Sequence, residues 1–267
     1  MSRSGFYDYQ SRQVDPKIDA EEVALLARIK AIAAATRSSY GSRRMAKELQ
    51  DEGFTVGRWK VRRLMNEAGV KVDRAKRRGP VTTDSRHDYA IAPNLLERHF
   101  DVEELDQAWV SDITYVWTAE SWLYVSTLLD LFSRKIVGWA MSSRIDTTLV
   151  KDALQMALGR RHASAGLIHH SDRGSQYASH AYRDLLKEND IECSMSGKGE
   201  CLDNAVAERF FGSLKREWTS HRSYATRQEA RDDIIAYIEM FYNSTRRHSY
   251  LGYVSPNDYE KNALVLN

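Results

Sequence analysis

The sequence has little that would place it in a membrane or outside a cell. No apolar run approaches the ~20 residues that a membrane-spanning helix requires. The opening residues, Met1-Ser-Arg-Ser-Gly-Phe-Tyr7, carry no apolar signal core, so secretion is not expected and reducing cytoplasm is the default. Two cysteines in 267 residues, Cys193 and Cys201, are too few for a disulfide scaffold. With no Cys/His pair beside them, they are also poorly spaced for zinc. There is no repeat of solenoid length and no low-complexity tract. Wholesale disorder is excluded by what is present: 42% hydrophobic residues, with 14 Tyr and 6 Trp that need burial. The length allows one large domain or two modest ones.

The net charge of +2 conceals an asymmetry. Residues 1–80 hold 18 Lys+Arg against 10 Asp+Glu, so the remainder is net acidic. A basic arm on an acidic body suggests that the arm meets a polyanion. Within the arm, Ala20–Ala35 reads as a helix with Leu25, Ile29 and Ile32 on one stripe. A second helix is expected over about Arg43–Asp51, with Met45, Ala46 and Leu49 inward. After a turn with two glycines, Gly53 and Gly57, a third runs from about Arg58 to Ala68 and stops at Gly69. Its core stripe is Val61, Leu64 and Met65, while Arg58, Lys60, Arg62 and Arg63 occupy other faces. A short helix, a Gly-containing turn and a basic helix make a helix-turn-helix candidate that would hold DNA. A helical hairpin with a solvated basic face has the same pattern. Lys71–Pro80 reads as a basic linker, and Val81–Gln107 as an extended connection.

After Gln107 the texture changes. Trp109–Val116, Leu123–Leu129 and Lys135–Ala140 are strand-like and closely spaced, as in an antiparallel meander. Thr147–Arg160 reads as a helix capped by Asp146 or Thr147. Leu167–His170 is a strand, His180–Glu188 a helix, Ile191–Met195 a strand and Asn204–Trp218 a helix. The order β-β-β-α-β-α-β-α predicts an α/β fold with a mixed sheet flanked by helices. The expected domains are a helical, basic DNA-binding region at 1–79, a linker at 80–106, a catalytic core at 107–218 and a helical extension at 219–267.

Three carboxylates stand out. Asp112 lies inside the first strand, where an unpaired charge is costly. Asp172 ends the fourth strand, and Glu208 lies on the helix after the fifth, with 35 residues between the two. Taken singly, each has an ordinary reading: an Arg partner, a turn, a solvated helix position. Acids from two strands and a packed helix can also converge, and would then repel unless cations were bound. Hard oxygen donors without His or Cys favour Mg²⁺, with Mn²⁺ as substitute. Two such ions can flank one phosphorus. One turn beyond Glu208 is Gly212, and two turns beyond is Lys215, suited to a DNA phosphate. Val206, Phe210 and Leu214 form the opposite, core face.

The arrangement of Asp112, Asp172 and Glu208, with Lys215 after them, resembles the retroviral-integrase-like DDE recombinases. Four strings narrow the likeness: Trp109-Val-Ser-Asp-Ile-Thr-Tyr115, His170-Ser-Asp-Arg-Gly-Ser-Gln-Tyr177, Cys193-Ser-Met-Ser-Gly-Lys-Gly-Glu-Cys-Leu-Asp-Asn-Ala-Val-Ala-Glu208, and Phe241-Tyr-Asn-Ser-Thr-Arg-Arg-His-Ser-Tyr-Leu-Gly-Tyr-Val-Ser-Pro256. Together they resemble OrfB-type transposases of the insertion-sequence-three family, from about Tyr40 to Tyr259. The resemblance implies an RNase H-like core, a mixed five-stranded sheet flanked by helices, behind an all-α helix-turn-helix region. It implies that Asp112, Asp172 and Glu208 are the catalytic, metal-binding triad, served by two Mg²⁺ ions. It implies 3′-end cleavage at terminal inverted repeats, then attack of that 3′-hydroxyl on target DNA. The implied partners are double-stranded DNA, further copies of the chain on that DNA, and an upstream OrfA portion, whose heptad zipper is not seen in this sequence. The implied location is the bacterial cytoplasm, at the nucleoid. A nuclease of the RNase H or resolvase class, or a DNA-binding regulator with an inactive core, are the alternatives.

Other residues have lesser expectations. Lys198, in the Gly-containing stretch before the Glu208 helix, is placed to grip DNA. Glu200 stands where the family resemblance leads one to expect a neutral amide. Asp130 is a candidate fourth acid, with a turn role favoured. His169 and His170 are candidate bases, with packing favoured. Arg227–Tyr242 is a helix with Ile234, Ile235, Ile238 and Phe241 inward, and Arg246, Arg247 and His248 behind it are candidate phosphate contacts.

Overall fold

The computed structural model describes residues 20–72, 87–161 and 165–266. The chain divides into two compact units, Met1–Asp73 and Arg74–Asn267. The expected boundary at residue 79 and most of the basic linker lie outside the described residues.

The first unit is three helices: α1 (Ala20–Ala35), α2 (Ser42–Asp51) and α3 (Arg58–Glu67). They form where the periodicity predicts. Leu25, Ile29 and Ile32 meet Met45 and Leu49 from α2 and Val61, Leu64 and Met65 from α3 in a buried core. The α2–α3 turn passes through Gly53 at φ +93, a conformation open to glycine. Ion pairs fasten the helices: Arg28 Nε to Glu52 at 2.5 Å, and Arg63 to Glu22 at 2.8 Å.

The second unit is built on a five-stranded sheet. Strands β1 (Ala108–Thr118), β2 (Ser121–Asp130) and β3 (Ile136–Ser142) form the antiparallel meander. Strand β4 (Ile168–Ser171) pairs parallel to β1, and β5 (Glu192–Met195) parallel to β4, giving the order β3-β2-β1-β4-β5. Helix α4 (Thr147–Arg160) crosses from β3 to β4, with Asp146 accepting from Leu149 N–H at 3.1 Å as its N-cap. A single turn, α5 (Ser175–Ala178), and α6 (His180–Glu188) cross from β4 to β5. This mixed order, with crossovers of helix, is the RNase H-like sheet.

One core lies on the face that takes Trp109 and Ile113 of β1 and Leu128 of β2, closed by Leu149, Val150, Leu154, Tyr177 and Tyr182. Gly138 of β3 is what lets α4 come this close: a Cβ there would fall 2.7 Å from Ala157 Cβ. Beyond β5, a short 3₁₀ turn (Cys201–Asn204) leads to α7 (Ala205–Glu217), which packs on β1. Helix α8 (Arg227–Ile235) continues as a π-helical stretch, Ala236–Tyr242, and α9 (Pro256–Leu266) ends the described chain. Phe210, Trp218, Tyr237, Phe241 and Tyr242 interlock ring against ring.

Two segments carry more than the sequence shows. Residues 87–106, expected as an extended connection, lack helix and strand. Ala92 and Leu96 are buried, and Pro93 O accepts from Met195 N–H at 3.2 Å, so the segment lies along the sheet. The final helix, α9, falls within the helical extension expected at 219–267. It is joined to the sheet by the Lys135–Glu260 pair at 2.8 Å.

Candidate active site

Strand alternation sends Trp109 and Ile113 into one core and Asp112 to the other face. The parallel pairing of β1 with β4 then decides its neighbour. Ala108 lies opposite Ile168, Trp109 opposite His169 and Val110 opposite His170. Carried two residues on, the same register sets Asp112 beside Asp172, on one face of adjacent chain segments ~5 Å apart. Asp172 Oδ1 accepts from Gly174 N–H at 2.9 Å. Asn204, buried at the start of α7, donates from Nδ2 to Ser111 O at 3.1 Å. That bond holds the beginning of α7 against β1 one residue before Asp112, and Glu208 stands on the next turn, exposed.

These acids share one electrostatic neighbourhood. Lost hydration lifts the Asp112 carboxyl well above the usual carboxylate range, and the charges of Asp172 and Glu208 lift it further. The Ile113 N–H, 2.8 Å from Oδ1, and the Lys215 ammonium act the other way. Burial lowers Lys215 while Asp112 opposes the shift. Lys215 Nζ also sits 4.1 Å from the centre of the Tyr115 ring. Among the described residues no three His, Cys, Asp or Glu side chains stand at the spacing of a ready metal cage. The acids are neighbours, not a closed cage. The face beside Gly212 is open, since a Cβ there would meet nothing within 4 Å.

The lesser candidates divide. Asp130 is fully buried and accepts from Asp106 N–H, Ser133 N–H and Ser133 Oγ at 2.8–2.9 Å, so it ties a turn. His169 and His170 are both buried, which pushes them down to about 3 and about 4. His169 meets Tyr182 OH at 2.9 Å, and His170 lies between Ser194 and Ser196 hydroxyls at 2.8 and 3.1 Å. Both belong to packing. Lys198 is exposed. Glu200 is held by Arg98 NH2 at 2.6 Å, and Arg98 Nε grips Asp203 at 2.6 Å. Asp203 also accepts from Gly197 N–H at 2.8 Å and Asn94 Nδ2 at 3.0 Å. The segment before α7 is thus strapped down by residues 94–98. Nothing in the sequence signals that strap, because its partners lie about a hundred positions apart.

Arg246 is a correction. It is 4% exposed, with Nε and Nη2 of its guanidinium donating to the two Glu217 oxygens at 2.6 and 2.7 Å, and so cannot reach a phosphate. Arg247 is half-buried and donates to Tyr253 O at 3.0 Å. In the first unit Arg63 is likewise committed, to Glu22. Arg62 is exposed, Lys60 half-buried, and Arg58 is exposed with its guanidinium 5.5 Å from the Trp59 ring centre.

Comparison with known proteins follows the same division. An HTH-like domain matches residues 20–78, and two integrase core domain families match 103–201 and 189–256. The insertion element IS600 31 kDa protein of Shigella sonnei is 43% identical over 96% of this chain and 93% of its own. The transposase InsF for insertion sequence IS3A of Escherichia coli K12 is 40% identical over 88% of this chain and 82% of its own. The transposase for IS904 of Lactococcus lactis is 38% identical over 92% and 96%. Among solved structures, the BIV integrase catalytic core superposes at TM-score 0.44 with 15% identity, over 60% of this chain and 97% of that one. The HTLV-2 integrase core gives 0.41 and 13%, over 54% and 88%. Superpositions this loose establish nothing about chemistry. The near full-length identity to insertion-sequence proteins does establish kinship: the chain belongs to the IS3-type transposases, DDE-class enzymes with an HTH-like domain ahead of an integrase core.

Proposed function

We propose that this chain cuts DNA at the ends of a mobile element and joins the freed 3′-hydroxyl to a target. Asp112, Asp172 and Glu208 are the acids that carry the reaction. The supporting observation is the setting of Asp112: burial first, then the nearby charges of Asp172 and Glu208, push its carboxyl above the usual carboxylate range. A divalent cation relieves such repulsion, and an all-carboxylate donor set suits Mg²⁺ or Mn²⁺. Bound at these carboxylates, divalent cations would supply charge neutralisation at the scissile phosphate.

The chain's own residues do the positioning. The β1–β4 register and the Asn204 bond support drawing these acids from three neighbouring elements. Lys215, beside Asp112, suits the phosphate of the bound strand, and exposed Lys198 suits the adjoining backbone. We assign DNA holding to residues 1–79, with Arg58, Lys60 and Arg62 as phosphate contacts. Residues 80–106 lead to the catalytic region, 107–218, and 219–267 extends it. Double-stranded DNA, further copies of the chain and an OrfA-type partner are the assigned associations, in the bacterial cytoplasm at the nucleoid.

Asp112→Asn, Asp172→Asn and Glu208→Gln are each expected to abolish Mg²⁺-dependent cleavage of an end duplex while leaving DNA binding nearly intact. A variant that keeps wild-type cleavage removes that residue from the triad. Joining of a pre-cleaved end to target DNA separates a transposase from a nuclease that only hydrolyses. A regulator with an inactive core would show no loss in any of the three variants. Cleavage seen only after an OrfA-containing protein is added would make that partner a requirement.

A further inference from the structure

On the strand that carries Asp112 lies a group of aromatic rings that the reaction does not use. Trp117 is 58% exposed, an unusual amount for so large an apolar side chain. It faces Trp122 across the β1–β2 hairpin, with ring centres 4.7 Å apart. Trp122 meets Tyr115 at 5.2 Å, and Tyr115 lies under Lys215 Nζ at 4.1 Å. Lys215 in turn is within electrostatic reach of Asp112. A series of contacts therefore runs from Lys215 to a solvent-facing indole on the strand that carries Asp112.

A cross-strand Trp pair stabilises a hairpin by itself. This hairpin has other fastenings. Thr118 Oγ1 donates to Ser121 O at 2.7 Å across the tip. Arg227 donates to Glu120 O at 2.6 Å and to Trp122 O at 3.0 Å, and Ala119 N–H to Tyr224 O at 2.9 Å. The tip is held rigid from outside, so the ring of Trp117 is presented on a fixed support. A rigid, exposed aromatic group loses little freedom on binding.

We infer that Trp117, backed by Trp122, is a stacking site for one unpaired nucleobase next to the phosphate that Lys215 holds. The ligand class follows from the chemistry. Aromatic faces bind bases by stacking, whichever base is present. Bases inside a duplex have both faces covered, so the base must be unpaired, at or near a DNA end. A cation at one end of the aromatic series and an indole at the other match one strand's phosphate and base. The inference rests on the reading that the chain acts on DNA.

The test uses the full chain and a DNA duplex with a short 3′ extension carrying 2-aminopurine. Binding should quench the probe, and Trp117→Thr, which keeps a strand-forming residue, should remove the quench. The same change should lower affinity for the extended DNA about tenfold and leave a fully paired duplex unaffected. Trp117→Phe should restore most of both. A 5-iodouracil at the same position should crosslink to Trp117 in the unaltered protein, a result that does not depend on any variant folding. Equal affinity loss on both DNAs, an unchanged quench in Trp117→Thr, or crosslinks confined elsewhere would each overturn the site. Wild-type protein that quenches the probe but never cuts would remove the catalytic reading and leave the base site standing. Protein that cuts normally, with the quench unchanged in Trp117→Thr, would do the reverse.

Discussion

Asp172 occupies the space that a side chain at position 174 would need: a Cβ on Gly174 would stand 3.0 Å from Asp172 Oδ1 and 3.0 Å from Gln176 Oε1. The Gly174 backbone is ordinary, at φ −61 and ψ 142, so room alone is at stake. Gly174→Ala is expected to displace the carboxylate and cut metal-dependent cleavage roughly 10–100-fold, since misplacement by about 1 Å costs that much. The thermal midpoint should hardly move. Cleavage at the wild-type rate would show that the carboxylate does not need this seat.

Asp112→Asn has a second consequence besides lost cleavage. It removes a charge that burial and two carboxylates disfavour. In metal-free buffer the variant is expected to melt at a higher temperature than the wild type. Mg²⁺ should stabilise the wild type and do less for the variant. Thermal melts with EDTA and with Mg²⁺ check both, and a variant that melts lower in EDTA would contradict the repulsion.

His169 and His170 make stability depend on acidity. Their folded values, about 3 and about 4, lie below the unfolded value near 6.5, so the unfolded chain takes up protons first. The stabilisation is complete above about pH 6.5 and is lost as pH falls toward 4 and then 3. At pH 5 each histidine should cost roughly 2 kcal/mol relative to pH 7. Melts across this range should show the decline, and His170→Gln should make it shallower.

Arg246 and Glu217 form a buried pair, 5% and 5% exposed by side chain. Arg246→Ala leaves Glu217 without its main partner and should destabilise by roughly 3–5 kcal/mol. Denaturant unfolding measures this. A stable Arg246→Ala protein with weakened DNA affinity would restore the phosphate-contact reading.

Arg62 and Arg63 are adjacent in sequence but differ in what they touch. Arg62 is exposed, whereas Arg63 is paired with Glu22. Arg62→Ala should weaken DNA binding at all sequences and reduce the salt slope by about 1. Arg63→Ala should change the slope much less. Equal effects would mean that Arg63 leaves Glu22 when DNA arrives.

Much of this was legible in the sequence because the signals are local. The apolar stripes of α1–α3 and the β-branched runs of β1–β3 specify their elements within a few residues. Asp112 was conspicuous among strand residues, and its electrostatic neighbours Asp172 and Glu208 stood out with it. What escaped were relations set by tertiary contact. The strap of Asn94 and Arg98 on Asp203 joins segments with no common pattern. It also gives Glu200, an oddity in the sequence, a partner. Arg246 looked like a surface cation because nothing near it in the chain announces Glu217. The anchoring of segment 87–106 escaped because its buried residues, Ala92 and Leu96, lack periodicity.

The β1–β4 pairing makes the protein unequally tolerant of changes in length. Residues added between β3 and α4 alter a connection and leave every pairing intact. One residue added between Val110 and Asp112 would turn the aspartate toward the opposite side of the sheet, into the apolar layer with Trp109 and Ile113. Over evolutionary time, insertions and deletions should therefore accumulate in the crossovers and spare the few positions that lead from each paired strand to its acid.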